Sequence, residues 1–311
     1  MPAELAALAL AVVFDLAIGE PPAPFHPVVW IGKTIGLLDK MSPRTGKVAQ
    51  FIFGLFIALA VPFLFGAGAF FILHDVTYAA FVLVGFWLMK STFAVKALAD
   101  SAREVQRELE NDDISTARES LRSLVSRDRS NLTREQSAGA AVESVAENST
   151  DSFVAPLFYF ALFGLVGAIV YRAINTGDSM IGYHGKYEYL GKAAARLDDF
   201  ANYIPARLAA ALMIIASTLA QKNAHESKRV MLRDHRRTSS PNAGWTMSAM
   251  AGSLGVRLEK LGQYVLNKGA PEPSAKTISE AILLMHIVFA LMLPVTVGIF
   301  MLRYWLYGGL P

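Results

Sequence analysis

The 311-residue sequence contains no cysteine. That excludes disulfides, a thiolate nucleophile and any cysteine-based metal site. Charge is scarce too: Asp, Glu, Lys and Arg make up 18% of the chain, against about 25% in an ordinary soluble protein. The net charge of +3 is too small to argue for a nucleic-acid partner, and none is expected. The histidines show no His-Glu-x-x-His spacing; His26, His184 and His235 stand isolated, so a histidine metal site is not expected. Gly32-Lys33-Thr34 resembles the end of a phosphate-binding loop. The leading glycine of that motif would fall at Pro27, however, and no strand precedes it, so the reading is rejected. No repeat or low-complexity segment is present. The opening Met1-Pro2-Ala3-Glu4 lacks a basic n-region, and a cleaved signal peptide is not expected.

What the chain has instead is apolar length. Hydrophobic residues make up 53% of it. The fold class expected is an all-α, polytopic integral membrane protein with about four to six membrane helices and a helical polar region on the cytoplasmic side. Residues 1–311 are read as a single membrane-embedded domain, with 99–152 a polar helical insertion within it. Leu5–Ile18 is an apolar helix, short against the roughly 20 residues a span needs. Gly19–Lys33 contains Pro21, Pro22, Pro24 and Pro27 and is read as a rigid loop displaying Glu20 and His26. Val48–Leu73 and Tyr78–Leu98 are spans joined by a turn at His74-Asp75. Lys and Arg flank the pair and are missing from the turn, so the turn is expected to face out and the flanks, Lys90 and Lys96 among them, to face the cytoplasm. Thr133 with Gln136 makes a capping box that starts a helix running to about Asn148. Ala281–Leu302 is a last membrane helix.

The stretch from Arg127 to Arg207 is the anomaly. It lies between membrane-length runs, yet it carries carboxylates, amides and arginines, which are costly near a bilayer and commonly mark function there. Glu143, Glu147 and Asp151 recur at i, i+4 and i+8, which stacks them on one face of a helix. Like charges at that spacing repel unless a cation offsets them, and Mg²⁺ favours such oxygens bridged to substrate phosphates. A solvated acidic face is the plainer alternative. Arg172, Asn175 and Asp178 or Ser179 follow an apolar run at about one-turn spacing; a snorkelling arginine with a helix-ending cluster would look the same. Arg196, Asp199, Tyr203 and Arg207 share a face, where Arg–Asp pairing is the alternative, and Asp198 and Asn202 form an adjacent one. Arg129 lies in a charged turn able to grip phosphate. The basic run 222–237 fits anionic lipid headgroups.

Topology and charge conflict here. If Phe153–Val170 and Ile204–Ala220 both span, Arg172, Lys186, Lys192 and Arg196 fall outside. Pro156, Gly164 and Gly167 permit a broken helix instead, so both runs are expected to enter the protein without crossing, keeping the polar motifs in one compartment as parts of one pocket.

Four segments carry a family resemblance: GEPPAPFHPVVWIGK, RDRSNLTREQSAGAAVESVAENSTDSFVAPLFYFALFG, YRAINTGDSMIGYHGKYEYLGKAAARLDDFANYIPARL and SPNAGWTMSAMAGSLGVRLE, in that order. Together they resemble the adenosylcobinamide-phosphate synthase family, the CobD/CbiB family of cobalamin biosynthesis, over roughly the whole chain. The resemblance implies a multi-pass ligase of the cell membrane whose active site faces the cytoplasm. It would join the propionate carboxylate of the corrinoid adenosylcobyric acid to (R)-1-amino-2-propanol phosphate or ethanolamine phosphate, with ATP as co-substrate and Mg²⁺ as cofactor. On that footing Glu143, Glu147 and Asp151 are expected to hold Mg-ATP. Arg129, Arg172 and Arg196 grip phosphates, with Asn175, His26 and Asn242 as further substrate-binding residues. Glu143, Glu147, Asp178 and Asp199 are the catalytic candidates, Asp178 or Asp199 orienting or deprotonating the amine. Membrane lipid is the expected surrounding partner, and homo-oligomerisation stays open. Two other readings compete: a non-catalytic sensor or scaffold like the membrane protein AmpE, a remote relative, and a transporter, which the lack of paired apolar halves disfavours.

Overall fold

Capping and proline chemistry set several helix starts. The computed structural model describes residues 2–125, 128–183, 185 and 187–306. Arg127, His184 and Lys186, named above, lie outside the described residues. Thr133 and Gln136 form the expected capping box at the head of α7 (Arg134–Ser149). Asp113 caps α6 (Ile114–Ser120) by accepting from Thr116 N–H. Pro27 takes the first position of α2 (Pro27–Met41), where its missing N–H costs nothing. The rigid loop expected over 19–33 therefore ends at His26, and its second half is helical.

Among the described residues, four segments are long and apolar enough to cross a membrane: Lys47–Leu73, Tyr78–Glu110, Arg134–Ile181 and Ala275–Leu306. The first is α3 (Lys47–Leu73) and the last α13 (Ala275–Leu306). The apolar part of the second is α4 (Tyr78–Lys90), which ends eight residues before the expected Leu98; a turn then leads into the amphipathic α5 (Val95–Glu110). The chain is thus an all-α polytopic membrane protein, its β structure among the described residues being a hairpin of Leu258–Lys260 with Tyr264–Leu266.

The chain divides into two compact units. The first comprises Met1–Ala94, Ala155–Asn202 and Val295–Pro311; the second comprises Val95–Val154 and Tyr203–Pro294. The polar segment 99–152 thus belongs to a larger unit that also takes in 203–294.

In the first unit, α1 (Ala3–Ala17) packs on α4, and α8 (Ala155–Ile181) packs on α2, α3 and α9 (Lys192–Ala201). The decisive feature is inside α8. Gly164 has φ 68° and ψ −161°, a region essentially reserved for glycine. The chain doubles back there. Tyr159 stacks on Tyr171 with ring centroids 5.1 Å apart, whereas a straight helix would separate residues that far apart in sequence by about 18 Å. The Glu4 carboxylate accepts from Leu165 N–H at 3.2 Å, capping the returning limb, and pairs with Arg303 at 2.8 Å. A side chain on Gly164 would run into that Glu4 carboxylate. The broken helix expected over 153–170 is therefore a hairpin with limbs 155–163 and 165–181. Its second limb returns to the level of Ala155 at Tyr171, which shares an apolar cluster with it, so Arg172, Asn175 and Asp178 emerge at the end where the hairpin begins.

Lys90 changes role. It is fully buried, 3.0 Å from Asp15 and 2.9 Å from Glu20, and it donates to Phe93 O. It balances two acids inside the first unit, so it is not the flanking loop charge expected from the sequence; Lys96 pairs with Asp100.

In the second unit, α12 (Ala243–Leu254) is clasped by α10 (Tyr203–Leu219), α11 (Ala224–Asp234) and α7. Its small residues permit this: a Cβ on Gly244 would meet the His235 carbonyl, and one on Gly252 the Glu226 carbonyl. Ser217 donates to Met213 O and Ser253 on the same buried seam.

Candidate functional site

Two polar clusters stand out, one in each unit. In the first unit, the returning limb of α8 presents Arg172 and Asn175 toward α9. Arg172 Nη1 donates to Asn175 Oδ1 at 3.2 Å. Asn175 Nδ2 donates to Asp198 Oδ1 at 3.3 Å, and Asn202 Nδ2 to Asp198 Oδ2 at 2.9 Å. Tyr171 closes the chain by donating to Asn202 Oδ1 at 2.9 Å. Asn175, Asp198, Asn202 and Tyr171 are buried, and buried polar networks of this kind rigidify a site when each member is bonded.

α9 carries Lys192, Arg196, Asp198 and Asp199 within ten residues. With four charges in ten residues, it lies outside the four spanning segments. Burial pushes the Asp198 carboxyl up to about 6, against the hydrogen bonds from Asn202 and Asn175; the neighbouring Asp199 pushes the same way and Arg172 opposes. Burial also raises Asp199, opposed by Arg196. Arg196 is exposed and 4.0 Å from Asp199. The network-bearing acid of α9 is thus Asp198, where the sequence reading chose Asp199. The i, i+4 pairing of Asp198 with Asn202 was the available signal. Asp178 lies half-buried farther along α8, so close to Gly182 that a Cβ there would strike its carboxylate.

His26 caps α2. Its Nδ1 accepts from Val28 N–H at 3.2 Å, so Nε2 carries the proton and donates to Glu20 at 2.8 Å. Through Glu20 it joins the Lys90–Asp15 group, which the sequence reading missed because the partners are distant in sequence.

In the second unit, Glu143 is buried, Glu147 exposed and Asp151 intermediate. The one-face expectation assumed an unbroken α-helix, but Thr150–Val154 form a π-turn, which shifts the phase at Asp151 and is a device frequent at functional sites. Among the described residues, no three His, Cys, Asp or Glu converge into a group that could hold a metal ion. The donor chemistry still suits Mg²⁺, which takes one or two protein carboxylates and completes its shell with water and substrate phosphates. Arg129 Nε donates to Arg118 O at 3.2 Å, bracing the turn. Asn242, at the head of α12, accepts from Arg207 Nη1 at 3.1 Å.

Comparison with known proteins gives the same family as the motifs. The model of the CobD/Cbib protein family matches residues 8–293. A relative from Dehalococcoides mccartyi, named cobalamin biosynthesis protein CobD, is 43% identical over 93% of this chain and 95% of its own. Relatives named probable cobalamin biosynthesis protein CobD come from Methanothermobacter thermautotrophicus, 43% identical over 85% of this chain and 86% of its own, and from Methanocaldococcus jannaschii, 41% identical over 84% and 88%. No solved structure matches. With the family model covering nearly its whole length, the chain belongs to the CobD/CbiB family.

Proposed function

We propose that the chain acts in cobalamin biosynthesis as a membrane amide ligase. It would join adenosylcobyric acid to (R)-1-amino-2-propanol phosphate or ethanolamine phosphate at the expense of ATP. The observation that carries the reading is the family match over residues 8–293; the hydrogen-bonded Arg172–Asn175–Asp198 network supports it.

The chemistry follows from the bonds. A carboxylate is a poor electrophile, so one of its oxygens attacks the γ-phosphorus of ATP and ADP leaves, giving an acyl phosphate. The amine nitrogen then attacks the acyl carbon, phosphate departs, and the nitrogen gives up a proton. Arginines serve such a reaction by neutralising phosphoryl oxygens. Arg172, Arg129 and Arg196 are assigned that work. Asn175 sets the direction of the Arg172 guanidinium, and Asp198 holds Asn175 in turn. Asp178 and Asp199 are the carboxylates assigned to orient the amine or take its proton. Glu143 and Glu147, one turn apart on α7, are assigned to Mg²⁺, which when bound would supply Lewis-acid neutralisation of the nucleotide phosphates; Asp151, beyond the change of phase at the π-turn, is left out of that pair. We assign the protein to the cell membrane, with this chemistry on the cytoplasmic side.

The test is direct. Purified protein in detergent receives adenosylcobyric acid, Mg-ATP and, in separate reactions, aminopropanol phosphate or ethanolamine phosphate, and the amide is sought by mass spectrometry. The expected result is amide and ADP, lost when any one substrate is omitted. A folded protein that forms no amide from either amino alcohol phosphate would sink the ligase reading and favour a scaffold.

A further inference from the structure

Arg207 is a half-buried arginine of the second unit. The half-buried Arg257 pairs with Glu259 and Glu272, and the half-buried Arg118 spends its Nε and Nη2 on the Leu132 carbonyl. Arg207, on α10, makes no ion pair among the described residues. Its Nη1 donates to Tyr203 O at 2.5 Å and to Asn242 Oδ1 at 3.1 Å. Its guanidinium carbon lies 3.5 Å from the Tyr203 ring centroid and 4.8 Å from that of Trp245. Every partner is neutral, so the positive charge is held in place but not cancelled. Both hydrogen bonds fall on one nitrogen, which leaves the Nε and Nη2 edge of the fork without a protein acceptor among the described residues. That edge is the one that meets phosphate or carboxylate bidentately.

The setting adds to this. Asn242 sits at the head of the twelve-residue α12, and its side chain does not cap that helix; it holds Arg207 instead. The guanidinium is thereby tethered to the positive end of a helix dipole. The α12 residues just beyond carry polar atoms that the fold leaves without a hydrogen bond: Trp245 Nε1 and the fully buried Ser248 hydroxyl have no partner among the described residues. Buried polar atoms are normally bonded, and exceptions call for an explanation such as a missing ligand or ion. The His235 ring lies 4.0 Å from the Trp245 ring, tilted by 36°, and its Nδ1 is 3.0 Å from Met231 O, so a second held ring packs on the indole.

We propose that Arg207, held by Asn242, Tyr203 and Trp245, is a binding residue for a phosphoryl anion. That chemistry is shared by an aminoalcohol phosphate and by the phosphate chain of a nucleotide. Identifying these as the sources rests on the ligase reading; the anion site itself does not.

The experiment is calorimetric titration of the full chain in detergent with ethanolamine phosphate, with Mg-ATP and with inorganic phosphate, on wild type, Arg207→Met and Asn242→Asp. Asn242→Asp keeps the shape but places a carboxylate on the guanidinium, so it cancels the charge without emptying the cluster and serves if Arg207→Met fails to fold. Both variants are expected to weaken one phosphorylated titrant roughly tenfold or more, the worth of one charge-assisted hydrogen-bonded contact. Loss confined to ethanolamine phosphate assigns the site to the amine substrate; loss confined to ATP assigns it to the nucleotide. Unchanged affinities in a folded variant, or a wild type that binds none of the three, would overturn the site. Amide formation measured alongside separates the two ideas. Turnover undiminished in the variants removes Arg207 and leaves the ligase; phosphate binding that needs Arg207 without any amide removes the ligase and leaves the site.

Discussion

Tyr159 lies flat against Tyr171, 5.1 Å between ring centroids and 12° between planes, across a reversal of the chain at Gly164. This contact makes one continuous apolar run into a hairpin, and it returns Arg172 and Asn175 to the end from which the hairpin entered.

If the hairpin carries its polar end back to the side it came from, single cysteines should report it cleanly, since the chain has none of its own. Gly185→Cys and His74→Cys are expected to react with a membrane-impermeant maleimide from opposite faces of sealed vesicles. Labelling of both from one face would contradict the hairpin topology.

Gly164→Ala should be costly. The backbone there suits only glycine, a strain of about 1–3 kcal/mol for any other residue, and the added methyl collides with the Glu4 carboxylate that caps Leu165. The variant is expected to melt well below wild type in detergent, and Gly167→Ala, which meets the Tyr159 carbonyl, to do likewise. An unchanged melting temperature for Gly164→Ala would contradict the turn.

Lys90 and Asp15 are both fully buried. Lys90→Met leaves Asp15 and Glu20 without their cation and should cost about 3–5 kcal/mol, as removing one member of a buried pair does. The double variant Asp15→Leu with Lys90→Leu should recover part of that loss. A double variant no more stable than the single would speak against direct pairing.

Asp198 makes stability depend on pH. Its folded value of about 6 lies above the ordinary 3.8, so the folded state favours the protonated acid. That contribution is complete below pH 3.8 and is lost as pH rises through about 6. Asp198→Asn cannot ionise and escapes the loss. Relative to wild type, its melting temperature should therefore improve between pH 5 and pH 8, while amide formation falls because Asn175 and Arg172 lose their anchor. The same difference in melting temperature at both pH values would contradict a buried, raised carboxyl.

Much of this was legible from residues alone. The capping box at Thr133 and Gln136, the span at Lys47–Leu73 and the broken run containing Gly164 all follow from local chemistry. What lay beyond reach depends on partners far along the chain. Gly164 could be named as permissive, but its turn is completed by Glu4 and Arg303, from the two ends of the sequence. Lys90 looked like a flanking charge because Asp15 and Glu20 are some seventy residues away. Asp198 and Asp199 are neighbours, and which one faces inward depends on how α9 is rotated against α8, a matter of packing. Arg207 is grouped with Asp199 by helical spacing, but α9 ends at Ala201 and α10 begins at Tyr203, so that spacing runs across a helix break that local sequence does not reveal.

The ligation is tested most directly by following one oxygen atom. Adenosylcobyric acid labelled with oxygen-18 in its free carboxylate is turned over by the purified protein with aminopropanol phosphate and Mg-ATP. The expected result is one labelled oxygen in the released phosphate, with ADP and amide formed in equal amounts. Amide formed with unlabelled phosphate, or label recovered in AMP, would contradict activation of the carboxylate as an acyl phosphate.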